Sequence, residues 1–384
     1  MPKRHSLDAV IIGAGVVGAA CAYYAARSGL SVAVVDRGPV AGGTTGAGEG
    51  NLLVSDKEAG PELDLALLST RLWRELAGEL PDTEYEPKGG LVVAPDETTL
   101  KALRAYAEGQ RAAGVENTEI DAARLHDLEP HLAPGLAGGF HYPQDSQVQP
   151  AKAAARLLAA SGATTYLGEQ VTEILTDATG AVRGVRTPRR ELLAPAVVNA
   201  AGTWGGEIAR LAGTHLPVLP RRGFVLVTEP LPRVVRHKVY AADYVADVAS
   251  DSASLQSSGV VEGTPSGPVL IGATRERVGF DRSLSTEALR RLAAQAQALF
   301  PILAGVDVQR VYHGFRPYLP DHLPAIGADP RVPGLHHACG HEGAGIGLAP
   351  GTGALIAATL TAGEPPMDPG PFRPDRDFGE EAEA

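Results

Sequence analysis

The chain has 384 residues, of which 44% are hydrophobic and 21% are charged, so it is long enough to bury one large core or two smaller ones. Its formal net charge of −11 opposes a broad attraction to nucleic acid, which we exclude as a partner. Its two cysteines, Cys21 and Cys339, cannot form a disulfide framework or supply all the ligands of a metal centre, so a reducing cytoplasm fits best and no metal site is expected.

The first predicted unit is a strand, a helix and a second strand. Apolar patterning predicts a buried strand over residues 8–12, a helix over 15–28 and a strand over 31–35. Between the first strand and the helix, Gly13, Gly15 and Gly18 form the pattern G-x-G-x-x-G. This pattern allows a tight turn and brings the N-terminus of the helix close to a pyrophosphate, which predicts a dinucleotide site.

The residues that follow this unit indicate which dinucleotide is bound. Asp36, at the end of the second strand, is placed to accept hydrogen bonds from a ribose diol, but it does not distinguish NAD from FAD. The next segment, "AGGTTGAGEGNL" at 41–52, combines small residues with two threonine hydroxyls. Such a segment lets the backbone approach a large planar group, which favours FAD.

The rest of the chain alternates between two kinds of pattern. Residues 86–95 and 96–114 predict a strand and a helix, and 150–161 predict a helix followed by further strands up to about residue 200. Residues 216–311 are rich in strand patterns and contain one amphipathic helix at 285–300. The C-terminal part predicts a strand at 335–339, a glycine-rich turn and a final helix at 349–360. No segment has the length and apolar continuity of a membrane-spanning helix.

Four separated blocks carry a resemblance to a known family. They are the glycine pattern with Asp36, "GGTTGAG" at 42–48, "VVNAAGTW" at 197–204, and the pair "GFRPYLPDHLPAIG" and "GHEGAGIGLAPGTG" at 314–327 and 340–353. In this order and spacing they resemble the FAD-dependent amino-acid oxidoreductases, a family that includes glycine oxidase, D-amino-acid oxidase and dehydrogenase, and sarcosine oxidase. The resemblance covers almost the whole chain.

The resemblance implies an α/β (α+β overall) fold with two domains. A discontinuous Rossmann-like FAD-binding domain is expected at residues 1–84, 142–215 and 314–384. An antiparallel-sheet substrate domain is inserted into it at 85–141 and 216–313. The FAD is expected to be non-covalent, because 314–322 contains no cysteine of the kind that binds flavin in monomeric sarcosine oxidase.

The same resemblance, together with the glycine pattern, predicts the residues that bind FAD. They are Gly13, Ala14, Gly15, Val16, Val17, Gly18, Asp36, Arg37, Gly43, Thr44, Thr45, Gly48, Val171, Ala201, Gly202, Gly340, Gly343, Gly345 and Ile346. Trp204 either belongs to this site or is only a core anchor. Cys339 is expected to be a small buried hydrophobic residue.

Four residues are predicted to act on the substrate. By similarity to glycine oxidase, Arg316 binds the substrate carboxylate through two parallel hydrogen bonds; the alternative is an ion pair with Asp321. Glycine oxidases carry a second arginine three residues after the loop's first glycine, where this chain has Gly343. The loop instead offers His341, and we expect His341 or Tyr244 to help deprotonate the substrate ammonium or to order a water.

The fourth residue, Glu342, either meets the substrate ammonium or a ring nitrogen, or faces solvent or pairs with a basic side chain. The loop resembles the branch of D-hydroxyproline dehydrogenase, opine oxidase and hydrogen cyanide synthase flavin subunits. The predicted reaction is therefore oxidation of a D-, secondary or cyclic amino acid at its Cα–N bond. The alternatives are glycine oxidase and an FAD-bearing subunit of a larger, peripheral or hetero-oligomeric assembly. The electron acceptor is either O₂ or an electron-carrier subunit.

Overall fold

The computed structural model describes residues 7–242, 252 and 254–379, and two large sheets organise this part of the chain. Its α-helices, in chain order, are α1 (Val16–Arg27), α2 (Pro61–Glu79), α3 (Glu97–Ala112), α4 (Ala122–Leu128), α5 (Pro150–Ser161), α6 (Gly205–Leu211), α7 (Thr286–Leu299) and α8 (Gly345–Thr361). None of these helices combines the length and the hydropathy needed to cross a bilayer.

The first sheet has six strands and begins with the predicted strand–helix–strand unit. In spatial order its strands are β18 (Ala325–Ala328), β19 (Leu335–Cys339), β12 (Ala196–Asn199), β1 (Ala9–Ile12), β2 (Val32–Asp36) and β8 (Thr164–Leu167). All neighbouring pairs are parallel except β18 with β19. The sheet is of the doubly covered type, which explains why β1 is buried along its whole length.

The two faces of this sheet are covered differently. Ala9 and Ile11 of β1 belong to the core formed with the helices, where α1 packs between α5 and α8. Val10 and Ile12 point the other way, as alternation along a strand requires, and belong to a separate core. That core is completed by a three-stranded antiparallel sheet of β9 (Glu173–Thr176), β10 (Val182–Arg186) and β11 (Glu191–Leu193).

The second large sheet joins two separated segments of the chain. Its spatial order is β17 (Val308–Tyr318), β13 (Leu219–Pro230), β16 (Pro268–Arg275), β15 (Gln256–Gly263), β14 (Lys238–Ala241), β4 (Gly90–Ala94), β6 (Gly138–Tyr142) and β5 (Thr118–Asp121). The predicted sheet is antiparallel except where β14 meets β4, which run parallel. That parallel pair is where the two inserted segments meet. A two-stranded ladder of β3 (Asn51–Leu52) and β7 (Ser146–Gln147) lies apart from both sheets.

These elements confirm the predicted α/β fold class and change three details. Helix α8 begins at Gly345, four residues before the predicted start at 349. Strand β17 continues to Tyr318, beyond the strand-rich stretch that is predicted to end at residue 311. Helix α2, which has no counterpart among the predicted elements, packs on α8. We propose the predicted division into two domains, because the two sheets draw their strands from the two sets of segments.

Candidate active site

The first glycine pattern builds the expected tight turn. Gly13 has a φ of +117°, and a Cβ there would lie 2.3 Å from the carbonyl oxygen of Ala200. A Cβ on Gly18 would lie 2.0 Å from the carbonyl oxygen of Gly13. Only glycines allow β1, α1 and β12 to approach this closely, so Gly13 shapes the turn and Gly18 allows the helix to pack on it.

Asp36 and Thr45 fix the N-terminus of α1. The Asp36 carboxylate accepts the N–H of Ala14 at 2.7 Å and that of Gly38 at 2.7 Å, and the Thr45 hydroxyl accepts the N–H of Val16 at 3.0 Å. Each carboxylate oxygen has a second lone pair, so the predicted bonds from a ribose diol remain compatible with this geometry.

A cavity of about 680 Å³ connects this turn to the C-terminal glycine loop. Most of the predicted residues line it: Gly13, Gly15, Val16, Val17, Asp36, Arg37, Gly43, Thr44, Thr45, Gly48, Val171, Ala201, Gly202, Arg316, His341, Glu342, Gly343, Gly345 and Ile346. The lining drawn from the described residues does not include Ala14, Gly18 or Gly340. Tyr244 lies outside the described residues.

Trp204 lines the cavity and is not a member of the hydrophobic cores formed by the described residues. The guanidinium of Arg37 lies 4.0 Å from the centre of its ring, and Phe280 stacks on it with ring centres 5.5 Å apart. Its ring also lies 3.4 Å from where a Cβ of Gly43 would be. The alternative in which Trp204 is only a core anchor is therefore wrong.

Arg316 lies on β17 and reaches the cavity between two glycines. Its Nη1 donates to the carbonyl oxygen of Thr274 at 2.8 Å. A Cβ on Gly223, in the neighbouring strand β13, would lie 2.0 Å from Nη1, and one on Gly343 would lie 3.5 Å from Cδ and Nε. Absence of a side chain at both positions therefore leaves the space that this guanidinium occupies.

Asp321, the alternative partner predicted for Arg316, pairs with a different arginine. Both carboxylate oxygens of Asp321 accept hydrogen bonds from Arg376, at 2.6 and 3.1 Å. Asp321 therefore fixes the C-terminal segment, whereas Arg316 lines the cavity.

His341 is buried in the loop beneath the cavity. Only 4% of it is exposed, and its Nε2 lies 2.9 Å from the hydroxyl of Thr352 in α8. Burial lowers the pKa of His341 to about 3, so the imidazole is neutral at physiological pH. This environment makes His341 a poor site for a proton at neutral pH.

Glu342 forms a buried ion pair. Its carboxylate lies 2.6 Å from Nη1 of Arg221 and 3.1 Å from Nδ1 of His322. Burial by itself would raise the pKa of Glu342, but the hydrogen bond from His322 and the charges of Arg221 and Arg275 lower it to about 2. Of the alternatives for Glu342, the structure contains the pairing with a basic side chain.

Cys339 lies beneath the loop and does not line the cavity among the described residues. It is fully buried, and its thiol donates to the carbonyl oxygen of Asn199 at 3.1 Å. Burial raises the pKa of Cys339 to about 12. A protonated, enclosed thiol is a hydrophobic packing group, and this environment supports a non-covalent cofactor.

Sequence reasoning missed several residues that line the cavity. Glu49 and Gly223 line it, and Arg275 lines both it and a smaller adjoining cavity of about 280 Å³. The smaller cavity is also bordered by His322 and by Asp56, Lys57, Glu58, Gly60, Pro61 and Glu62. Glu49 could have been noticed, because it is the one charged residue within the small-residue segment 41–52. Gly223 and Arg275 carry no local signal, since strand register alone brings them to the site.

The cavity fits FAD by its shape and by the donors along it. Its volume lies within the range of about 300–1,000 Å³ that is usual for cofactor and ligand sites. At one end, the N-cap of α1 is Gly15, which has no capping side chain. At the other end, the N-cap of α8 is Ala344, also without one, while Gly345 and Ile346 line the cavity. Both helix termini can therefore offer backbone N–H groups to a negatively charged ligand.

Comparisons with known proteins agree with this geometry. A family profile described as FAD dependent oxidoreductase (DAO) matches residues 8–359. Glycine oxidase from Geobacillus kaustophilus is 31% identical over 98% of this chain and 98% of its own. Hydrogen cyanide synthase subunit HcnC from Pseudomonas aeruginosa is 30% identical over 96% of each chain.

Solved structures give the same result. The crystal structure of glycine oxidase from Geobacillus kaustophilus superposes with a TM-score of 0.88 at 29% identity, covering 98% of this chain and 100% of that one. L-proline dehydrogenase from P. horikoshii shares the fold, with a TM-score of 0.87 at 22% identity over 96% and 97% of the two chains. The similar identities to glycine oxidase and HcnC do not favour either of the predicted branches.

Proposed function

The chain belongs to the family of FAD-dependent oxidoreductases, and we propose that it oxidises an amino acid at the Cα–N bond to give an imine. The proposed substrates are D-amino acids and secondary or cyclic amino acids such as D-hydroxyproline and sarcosine, with glycine as the alternative. FAD, when bound, accepts the hydride that leaves Cα. The observation that carries the proposal is the guanidinium of Arg316 in the same cavity as the two glycine-rich helix termini.

Arg316 is proposed to bind the substrate carboxylate. A guanidinium presents its N–H donors in a planar fork that matches a carboxylate. The bond from Nη1 to the carbonyl oxygen of Thr274 fixes the plane of this fork, and Gly223 and Gly343 leave room around it. Fixing the carboxylate orients Cα before the reaction, which is the main contribution that positioning makes to such a step.

The glycine loop at residues 340–347 is proposed to face the reactive end of the cofactor. The uncapped N-terminus of α8 lies at the cavity, where its dipole stabilises negative charge. His341 holds this loop on Thr352, and Glu342 holds it on Arg221. We therefore assign His341 and Glu342 to the structure of the loop, and we leave substrate binding to Arg316.

The experiment is anaerobic reduction of the bound flavin by a panel of D-proline, D-hydroxyproline, sarcosine, D-alanine and glycine, followed by absorbance. We expect at least one amino acid to bleach the flavin. The variant R316M should raise the KM for that substrate about tenfold or more while it leaves the flavin content unchanged, because a charged hydrogen-bonded pair is lost. R310M is the matched control, since Arg310 is exposed on the same strand.

Two results would contradict the proposal. If no amino acid of the panel reduces the flavin, the proposal that amino acids are the substrates is wrong. If R316M and R310M have the same KM, Arg316 does not bind the substrate carboxylate.

The electron acceptor and the assembly are the second part of the proposal. HcnC is by name a subunit of hydrogen cyanide synthase, and its 30% identity is compatible with a chain that works beside partners. We propose that this chain oxidises the substrate by itself and passes electrons either to O₂ or to a carrier subunit. We also propose the cytoplasm as its compartment, which the two buried free thiols support.

Turnover of the isolated chain with O₂, compared with turnover with a redox dye, distinguishes an oxidase from a dehydrogenase. If the isolated chain turns over with neither O₂ nor the dye, catalysis belongs to a partner subunit.

A further inference from the structure

Glu49 is a buried acidic residue at the cavity that the proposed function has not used. It follows Gly48 in the segment "GAGEGN", lines the cavity and is only 8% exposed. Its carboxylate lies against Gly272 of β16, where a Cβ would be 2.3 Å from Oε1. Glycine at 272 therefore provides the space into which this carboxylate fits.

The carboxylate of Glu49 is poorly compensated. Its Oε2 accepts one hydrogen bond, from the side-chain amide of Asn51 at 3.2 Å. Its Oε1 accepts none from the part of the chain that the structure describes. Burial of a carboxylate is costly unless a cation or several donors replace its water. A neutral amide at this distance is a weak replacement, so Glu49 can still gain from a cationic partner.

The surroundings of Glu49 contain a second buried carboxylate, Glu262, and two lysines, Lys88 and Lys238. Glu262 is fully buried nearby; burial raises its pKa, Lys88 and Lys238 lower it, and the charge of Glu49 raises it again. Glu49 and Glu262 therefore repel each other. The Nζ of Lys88 lies 3.5 Å from Glu262 and also donates to the carbonyl oxygen of Gly263 at 2.5 Å, so this lysine is already engaged.

Glu49 and Arg316 meet the same short stretch of β16. The carboxylate of Glu49 lies against Gly272, and Nη1 of Arg316 donates to the carbonyl oxygen of Thr274, two positions later. Both charged side chains therefore pack on the same short stretch of β16, and both line the cavity. An amino acid carries its carboxylate and its amine on one carbon atom, and this pair of charges complements both.

We propose that Glu49 binds the protonated amine of the substrate, an inference that rests on the proposed oxidation of amino acids. Arg316 and Glu49 together then select ligands that carry a carboxylate and an N–H cation on the same carbon. Primary and cyclic secondary amines both satisfy this requirement, whereas 2-hydroxy acids and ethers do not. Glu49 is therefore the residue that distinguishes amino acids from other carboxylic acids at this site.

The experiment uses anaerobic rapid mixing and compares two ligands by the perturbation of the oxidised flavin spectrum that they cause immediately after mixing, before any flavin is reduced. The first probe is D-proline, and the second is tetrahydrofuran-2-carboxylate, in which an ether oxygen replaces the amine. The wild type should bind D-proline more tightly than the ether. E49Q should raise the apparent Kd for D-proline about tenfold or more, since an ionic hydrogen bond is lost, and should change that for the ether less than about twofold. E49D, which keeps the charge, should retain part of the preference.

R316M is the matched control, because loss of the carboxylate anchor should weaken both probes. An E49Q variant that affects both probes equally, or neither, would overturn the inference, as would a wild type that does not prefer D-proline. If E49Q does not fold with bound FAD, E49D and E49A are compared in its place. Failure of every amino acid to reduce the wild-type flavin would reject the proposed reaction separately, because these dissociation constants do not depend on turnover.

Discussion

Glu342 illustrates how one residue holds a functional loop in place. Its backbone has a φ of +45°, a conformation that costs an L-residue about 1 kcal/mol or more. Its N–H donates to the carbonyl oxygen of Pro317 at 2.8 Å, and its carboxylate pairs with Arg221, which is 1% exposed. These contacts bind the loop to β17 and β13, which also carry Arg316 and Gly223 in the cavity wall.

The first prediction concerns E342Q and its dependence on pH. The pKa of Glu342 is lowered from 4.5 to about 2 in the folded chain, where burial opposes and His322 and Arg221 favour the charged form. Its contribution to stability is therefore complete above about pH 4.5 and declines as the pH falls toward 2. E342Q should lower the free energy of unfolding by about 3 kcal/mol at pH 7 and by clearly less at pH 3, as measured by urea unfolding.

E287Q is the control for this prediction. Glu287 pairs with Arg291 on the exposed surface of α7, so its loss should cost less than about 0.5 kcal/mol at either pH. An effect of E342Q that is equal at pH 7 and pH 3 would contradict the role of the charged form.

Helix α8 shows how one element depends on another. Pro350 lies inside the helix and has no N–H to donate to the carbonyl oxygen of Ile346. The indole N–H of Trp73, in α2, donates to that oxygen at 3.0 Å and to the carbonyl oxygen of Gly347 at 3.1 Å. Helix α2 therefore compensates for the proline and holds the first turn of α8 at the cavity.

The second prediction tests this compensation with W73F, which keeps an aromatic ring and removes the donor. The part-buried carbonyl oxygen of Ile346 would be left without its donor, which should cost about 1–3 kcal/mol in the free energy of unfolding. Because the affected turn borders the cavity, the FAD content should also fall. Circular dichroism and flavin absorbance measure the two effects.

T359V is the matched control within the same helix. The hydroxyl of Thr359 donates at 2.9 Å to the carbonyl oxygen of Leu355, which the helix already supplies with a backbone donor. This variant should therefore be close to neutral. A W73F variant as stable as T359V would show that the indole N–H is dispensable.

At the scale of the whole molecule, the cavity lies between the two large sheets. Val35 and Ala338 line it from the six-stranded sheet, and Val225, Ala273 and Gly314 line it from the eight-stranded sheet. Direct contacts between the two parts are made near the cavity as well, where the hydroxyl of Thr44 donates to the carbonyl oxygen of Phe315. A ligand that fills the cavity therefore touches both parts of the molecule.

The third prediction is that FAD stabilises both sheets together. A ligand that binds only the folded chain adds about 2.7 kcal/mol at a free concentration of 100 times its Kd. Hydrogen exchange of FAD-free and FAD-bound protein should therefore show slower exchange in β1 and β2 and also in β13 and β16. Protection confined to the six-stranded sheet would contradict this arrangement.

The sequence by itself determined the local features of this protein. The glycine turn after β1, helix α1 and the end of α5 at Gly162, which adopts a left-handed conformation, follow from interactions within a few residues. The family resemblance extended this to the α/β fold and to most of the residues that line the cavity. Neither local patterns nor the family resemblance identified which charged residues pair with each other at the site.

Only the tertiary structure decided how those charges are arranged. Glu342 and Arg221 are 121 residues apart in sequence, and they meet because β13 pairs with β17 in a particular register. The space for Arg316 beside Gly223, and that for Glu49 beside Gly272, depend in the same way on strands from distant segments. Local sequence sets backbone conformation through short-range sterics and periodicity, whereas the partner of a buried charge is set by how distant strands pair and pack.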